Sequence, residues 1–161
     1  MKEITKHIKI RQYEAKDHDQ VWDLHNRCLY EVGAHAGNGP WDDDLHHIDS
    51  IYLKAGGEFL VGEFNDEIIG MGALLRISKK CAEIKRMRVA LKFQRKGIGQ
   101  LILKELENKA KQLGYEILKL DTTTKQIAAQ RLYEKNKYQL KGETKYGPFT
   151  VLIYEKDITK S

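Results

Sequence analysis

The stretch Gln94-Arg95-Lys96-Gly97-Ile98-Gly99 constrains this chain more than any other, because of what flanks it. Before it runs Cys81 to Ala90, strand-like in composition; after it, Gln100-Leu101-Ile102-Leu103-Lys104-Glu105-Leu106 begins a long amphipathic helix. A glycine-bearing turn that opens a helix aims several backbone N–H groups at one spot, and the positive end of the helix dipole lies there too. Such a spot binds phosphate or pyrophosphate. Gly97 and Gly99 let the backbone come close to an anion, with no Cβ in the way. Arg95 and Lys96 add charge. The segment is not a Walker loop, and Ile102 stands where the dinucleotide fingerprint needs its third glycine. Both departures argue against a nucleotide hydrolase or a nicotinamide enzyme.

The rest of the chain reads as alternating strands and helices. His7 to Tyr13 alternates polar and apolar residues and predicts a first strand. Asp17 caps a helix through about Glu31, with Val21, Leu24, Cys28 and Leu29 on one face. Residues 32–41 form a loop rich in glycine. Asp42-Asp43-Asp44 opens a second helix to about Lys54, carboxylates favouring its positive end. Strands follow over 58–64 and 67–77 around a tight turn at Asn65-Asp66, then over 81–91. Helix three covers about 97–113, burying Ile98, Leu101, Ile102, Leu106, Ala110 and Leu113. Residues 116–121 form a strand parallel to 81–91, because the helix between them is a crossover. Helix four covers 125–136. Strands 138–145 and 149–154 close as a hairpin around Gly147-Pro148. At 161 residues the chain is expected to be one mixed α/β domain, residues 1–161.

Charge is unevenly spread. Residues 1–75 are net −7, residues 76–111 net +9 and residues 112–161 net +3. The positive block contains the glycine turn, so its field would steer an anionic ligand there. A solvated basic face is the plainer alternative. Nucleic-acid binding is a rival reading of the same block, though the chain carries no nucleic-acid motif.

Two segments, in order, resemble one family. Gln94 to Gly99 fits the Q/R-x-x-G-x-G/A acyl-CoA signature of the GNAT superfamily of N-acetyltransferases at every fixed position. Ala129-Gln130-Arg131-Leu132-Tyr133-Glu134-Lys135 is similar to the family's A-x-x-L-Y-x-K tyrosine helix. The resemblance covers residues 58–157 well and the N-terminal part in outline. It implies a sheet of about seven strands with four helices, splayed between its two central parallel strands. It also implies acetyl-CoA as acyl donor and direct attack by a primary amine of a small molecule or peptide.

The same resemblance implies the site residues. Arg95, Lys96, Gly97, Ile98, Gly99 and Gln100 would hold the pyrophosphate, and Gln94, which opens the signature, would also be a cofactor-binding residue. The backbones of Met87, Arg88 and Val89 would hold the pantetheine arm. Gln126 stands where the family often has a cofactor-contacting Asn. Tyr133 would be the general acid toward the leaving thiolate, its plainer reading being a tyrosine at the edge of the core. Glu83 would be the base, expected on one strand face with Met87 and Val89; its plainer reading is a surface carboxylate beside a lysine. The family's Gly-Phe after the tyrosine helix is Lys137-Tyr138 here, so Asn136 is expected to take the left-handed conformation. A non-catalytic acyl-CoA-binding module on the same fold is the alternative.

The first two helices and their loop are expected to face the acceptor. Asp42, Asp43 and Asp44 would suit a cationic amine there, or simply cap their helix. His35, His46 and His47 lack the spacing of a metal site, so none is expected. No apolar run approaches the roughly 20 residues of a membrane span. With a polar start and two cysteines, Cys28 and Cys81, the expected home is the cytoplasm. No nucleic-acid or membrane partner is expected, and the resemblance allows a homodimer.

Overall fold

A computed structural model describes residues 4–160. Its elements are α1 (Ile4–His7), β1 (Lys9–Gln12), α2 (His18–Glu31), β2 (Glu58–Phe64), β3 (Glu67–Arg76), β4 (Cys81–Val89), α3 (Ile98–Gln112), β5 (Ile117–Thr123), α4 (Ile127–Lys135), β6 (Gln139–Tyr146) and β7 (Phe149–Asp157). The seven strands form one sheet in the order β1-β2-β3-β4-β5-β7-β6. Every neighbouring pair is antiparallel except β4 and β5. The expected mixed seven-stranded sheet is thus present, and its parallel pair follows from the α3 crossover.

Local chemistry explains the connections. Asn65 and Asp66 both take positive φ (50° and 64°), as a tight two-residue hairpin turn requires. Gly114, at φ +89°, ends the α3 crossover. The expected second helix is instead a 3-10 stretch over Pro40–His46 followed by a π-helical turn over Asp49–Leu53. Its aspartates do not cap it: the N-cap is Gly39, with no side-chain cap. The left-handed residue after α4 is Lys137 (φ 70°), not Asn136, whose amide is bonded elsewhere.

β3 is buried from Ile68 to Leu74 without alternation, so both of its faces are covered. α3 lies on one face; α2 and the irregular 40–53 segment pack on the other. Gly70 and Gly72 let α3 approach closely: a Cβ at Gly70 would meet Ile102 at 3.0 Å, and one at Gly72 would meet Met87 Sδ at 2.6 Å. On α3 the buried side chains include Ile98, Ile102, Leu103, Leu106 and Ala110. Leu113 is exposed, contrary to expectation, and Leu103 joins the stripe instead.

One position tests this packing sharply. A Cβ on Gly57 would stand 2.0 Å from the carbonyl oxygen of Leu74. That neighbour is backbone in a central strand and cannot swing away. Gly57→Ala is expected to cost about 2–3 kcal/mol and to lower Tm by about 5–10 °C. Urea and thermal unfolding of the variant measure both, and a change under 0.5 kcal/mol would contradict the packing described.

Candidate functional site

β4 and β5 pair only over Cys81–Glu83 against Ile117–Lys119. Beyond Glu83 β4 stays with β3, while β5 continues along β7 to Thr123. The two parallel strands therefore splay, and a cleft of about 120 Å³ opens between them. Its walls are Lys85 to Arg88 of β4, Asp121 to Thr123 of β5, and Gln126 and Tyr133 at and within α4.

A bulge shapes the β4 wall. Met71 opposes Arg88, whereas Ala73 opposes Lys85, so two residues of β4 face one of β3. Arg86 takes up the irregularity at φ 60°. The extra residue shifts the face of everything after it. Glu83 and Arg88 share the face of Leu75 and Met71; Met87 lies on the other face, against Gly72 and α3. The expectation that Glu83 shares a face with Met87 and Val89 is therefore overturned. Simple i, i+4 counting assumes an unbroken strand.

The bulge also decides which backbone groups are free. Ala90 N–H bonds Ile69, so alternate residues 88 and 90 serve β3, while 87 and 89 face away from it. The carbonyl of Met87 accepts from Arg88 Nη1 at 2.9 Å, and that of Val89 from Gln94 Nε2 at 2.9 Å. Arg88 thus reaches the cleft by its side chain rather than its backbone.

At the mouth of α3 the chain does what its glycines predict, with one division of labour. Arg95 (φ 62°) and Gly97 (φ 87°) are both left-handed, and Gly97 is the N-cap. The first hydrogen bond to the turn runs from Leu101 N–H to Gly97 O at 3.0 Å. Among the described residues, no turn or cap hydrogen bond takes up the N–H groups of Arg95 to Gln100. A Cβ on Gly99 would touch Leu132 at 3.4 Å, so Gly99 also admits α4 beside α3. Ile98 is core, and Gln100 exchanges amide hydrogen bonds with Asn136 at 2.9 and 2.7 Å. Those two therefore offer the anion site backbone only.

Three polar groups in the cleft lack partners. Tyr133 is buried and its hydroxyl makes no hydrogen bond among the described residues; burial raises its phenol well above the ordinary range, against a lowering by Arg88. Thr122 Oγ1 and Arg88 Nε are shut off from solvent and have no hydrogen-bond partner among the described residues. Buried polar groups are normally satisfied, and exceptions mark places where something else binds. Gln126 is half committed. Its Oε1 accepts from Thr123 N–H and Oγ1, both at 3.0 Å, leaving its NH₂. Glu83 is not part of the cleft wall. Burial raises its carboxyl, helped by Asp121 and opposed by Lys85.

A well-covered ion pair and a buried hydrogen bond anchor the 40–46 segment, and sequence reasoning missed both. Arg86 grips Asp44 through Nη2–Oδ1 (2.6 Å) and Nε–Oδ2 (3.0 Å), and Asp44 also accepts from Tyr52 at 2.5 Å. His25 bonds Asp42 at 2.9 Å, and Asn38 bonds the other oxygen at 3.0 Å. Burial, with help from Arg88 and Arg86, pushes His25 down to about 4, so it is neutral at physiological pH. Asp42 and Asp44 are thus spent on structure, which the run Asp42-Asp43-Asp44 hinted at only as charge. His35 bonds Asn26 and His46 bonds His18. Among the described residues no three metal-binding side chains converge, and no helix is long and apolar enough to cross a membrane.

The profile of the Acetyltransferase (GNAT) family matches residues 18–138. An N-acetyltransferase of Bacillus subtilis (strain 168), YsnE, itself uncharacterized, is 36% identical over 76 residues, which is 46% of this chain and 50% of that protein. The chain spans about half the length of the curated relatives it matches first. Among solved structures, an acetyltransferase from Streptococcus agalactiae 2603 superposes with TM-score 0.86 at 22% identity, over 94% of this chain and 99% of that one. The yncA protein of Salmonella typhimurium, solved with acetyl-CoA, gives TM-score 0.77 at 16% identity, over 94% of each chain. At these identities the structural likeness is one of fold.

Proposed function

Because this chain belongs to the GNAT acetyltransferase family, we propose that it moves the acetyl group of acetyl-CoA to a primary amine of a small molecule or peptide. The observation that carries this reading is the cleft between the splayed β4 and β5. The unpartnered groups of Tyr133, Thr122 and Arg88 line it, and free N–H groups stand at the N-terminus of α3. One catalytic domain over residues 1–161 is part of the proposal.

The donor's pyrophosphate sits on the N–H groups of Arg95 to Gln100, where Arg95 and Lys96 add charge and Gln94 ties the turn to Val89. The pantetheine arm runs along the edge of β4 and pairs with the backbone of Met87 and Val89 as an added strand would. The Gln126 NH₂ donates to it from the α4 side.

The amine must attack as the free base. Glu83, its carboxyl raised by burial, takes the ammonium proton through water. The nitrogen then forms its bond to the thioester carbon, and the C–S bond breaks. The amine's second proton leaves to solvent, and the sulfur takes a proton from the Tyr133 hydroxyl, which water restores. Holding donor and acceptor together supplies much of the rate.

Titration calorimetry with acetyl-CoA tests the reading, with a random DNA duplex as competitor. Micromolar binding that DNA does not disturb is expected. No binding at millimolar acetyl-CoA would overturn it, and the basic block would then belong to another anion.

A further inference from the structure

Of the two arginines that line the cleft, Arg88 has no ion-pair partner among the described residues. Arg86, two residues away, has its fork filled by Asp44 and by the carbonyl of Trp41 at 2.7 Å. Arg88 makes a single hydrogen bond, from Nη1 to the carbonyl of Met87, and forms no ion pair among the described residues. Its Nε is shut off from solvent and has no hydrogen-bond partner among the described residues. A buried guanidinium without a counter-charge is costly, and removing water from it yields a return only when an anion arrives.

The surroundings say which ligand brings that anion. The parity set by the β4 bulge turns Arg88 away from Met87 and α3, toward the side where α2 and the 40–46 segment pack. Arg86, Cys28, Tyr133 and Asp42 are the titratable groups around it, and burial keeps Cys28 and Tyr133 neutral. Of these only Asp42 is reliably anionic, and its oxygens are held by His25 and Asn38. The donor's phosphates belong at the other end, on the turn before α3. The anion that meets Arg88 therefore comes with the acceptor. Asp42 and Asp44, which the sequence offers as attractors for a cation, are already paired, so the available charge on this wall is positive. Asp121, exposed across the cleft on β5, remains for an ammonium group.

We propose that the acceptor amine carries a carboxylate, as a free amino acid does, and that the terminal Nη edge of Arg88 binds that carboxylate while the amine faces the thioester. A planar guanidinium matches a carboxylate bidentately, which fixes orientation as well as affinity. Arg88 is on this view the residue that sets acceptor class. The inference rests on the acetyltransferase reading above.

The test measures thiol release from acetyl-CoA with free L-amino acids and with their matching carboxamides, for the native protein, Arg88→Gln and Arg88→Lys. The native protein is expected to favour at least one amino acid over its amide by about 10²-fold in kcat/KM. Arg88→Gln should erase that preference through KM, lowering kcat/KM for the acid by about 10²-fold and for its amide far less. Arg88→Lys should restore part of it, which a merely misfolded variant would not do. Two results would overturn the inference: amides turned over as well as acids by the native protein, or a loss in Arg88→Gln that falls equally on both or on acetyl-CoA binding. Absence of acetyl-CoA binding in the native protein would instead remove the acetyltransferase reading and this inference with it.

Discussion

Tyr133→Phe is expected to lower kcat by about 10²–10⁴-fold, the span of one well-placed proton donor, and to leave acetyl-CoA affinity within twofold. The two halves of this expectation have different origins. The hydroxyl meets no partner among the described residues, so nothing in the folded protein misses it. The ring stays packed edge-on against Tyr138, at 5.9 Å between centroids, and near Tyr154 at 6.3 Å. Stability should therefore be unchanged or slightly higher, since an unsatisfied buried group is removed. Burial keeps the phenol protonated at every pH of interest, so the native protein has its donor in place throughout. Stopped-flow or single-turnover thiol release measures the chemical step directly. A variant with native kcat would show that Tyr133 is only a core-edge tyrosine.

Asp44→Asn is expected to destabilise the fold by about 3 kcal/mol, because it leaves the Arg86 guanidinium buried without its charge partner. For a chain of this length that lowers Tm by about 6–12 °C. Both side chains are well covered, 13% and 15% exposed, so solvent screening does little to soften the loss. The double variant with Arg86→Met should cost clearly less than the sum of the singles, since the two share one interaction. Acid provides an independent check. Burial by itself would raise the Asp44 carboxyl, but the hydrogen bonds and charge of Arg86, then Tyr52, outweigh it and hold it below the usual range. Its stabilising contribution is therefore complete above an unfolded carboxyl value of about 3.9. It is lost as pH falls through the lower folded value. The gap in stability between native and variant should narrow only under strongly acid conditions. A variant as stable as the native protein at pH 7 would show that the 40–46 segment is held by other contacts.

Much of this was legible in the sequence because it depends on short-range chemistry. The turn at Asn65-Asp66, the helix stop at Gly114 and the glycine turn before α3 each follow from residues adjacent in the chain. The parallel pairing of β4 and β5 followed from a crossover helix, and the sheet order agrees. Errors appeared where a residue's role depends on partners far along the chain. Asp42 and Asp44 look like helix caps until His25 and Arg86 are found 17 and 42 residues away. Leu103 and Leu113 exchanged places because α3 is buried along a stripe set by β3 and β4, not by its own periodicity alone.

The glycine turn, the tyrosine helix and the alternation of strands and helices were thus determined by the sequence itself, since φ preference, capping and hydrophobic period act over a few residues. Which groups meet in the cleft was decided only by the tertiary structure. A single extra residue at Arg86 moved Glu83 to the face opposite Met87 and turned Arg88 toward the α2 side. A bulge leaves no compositional mark, because it is the partner strand's register that requires it. The availability of Arg88 is likewise a property of the fold: one arginine found a carboxylate, and its neighbour two positions on did not.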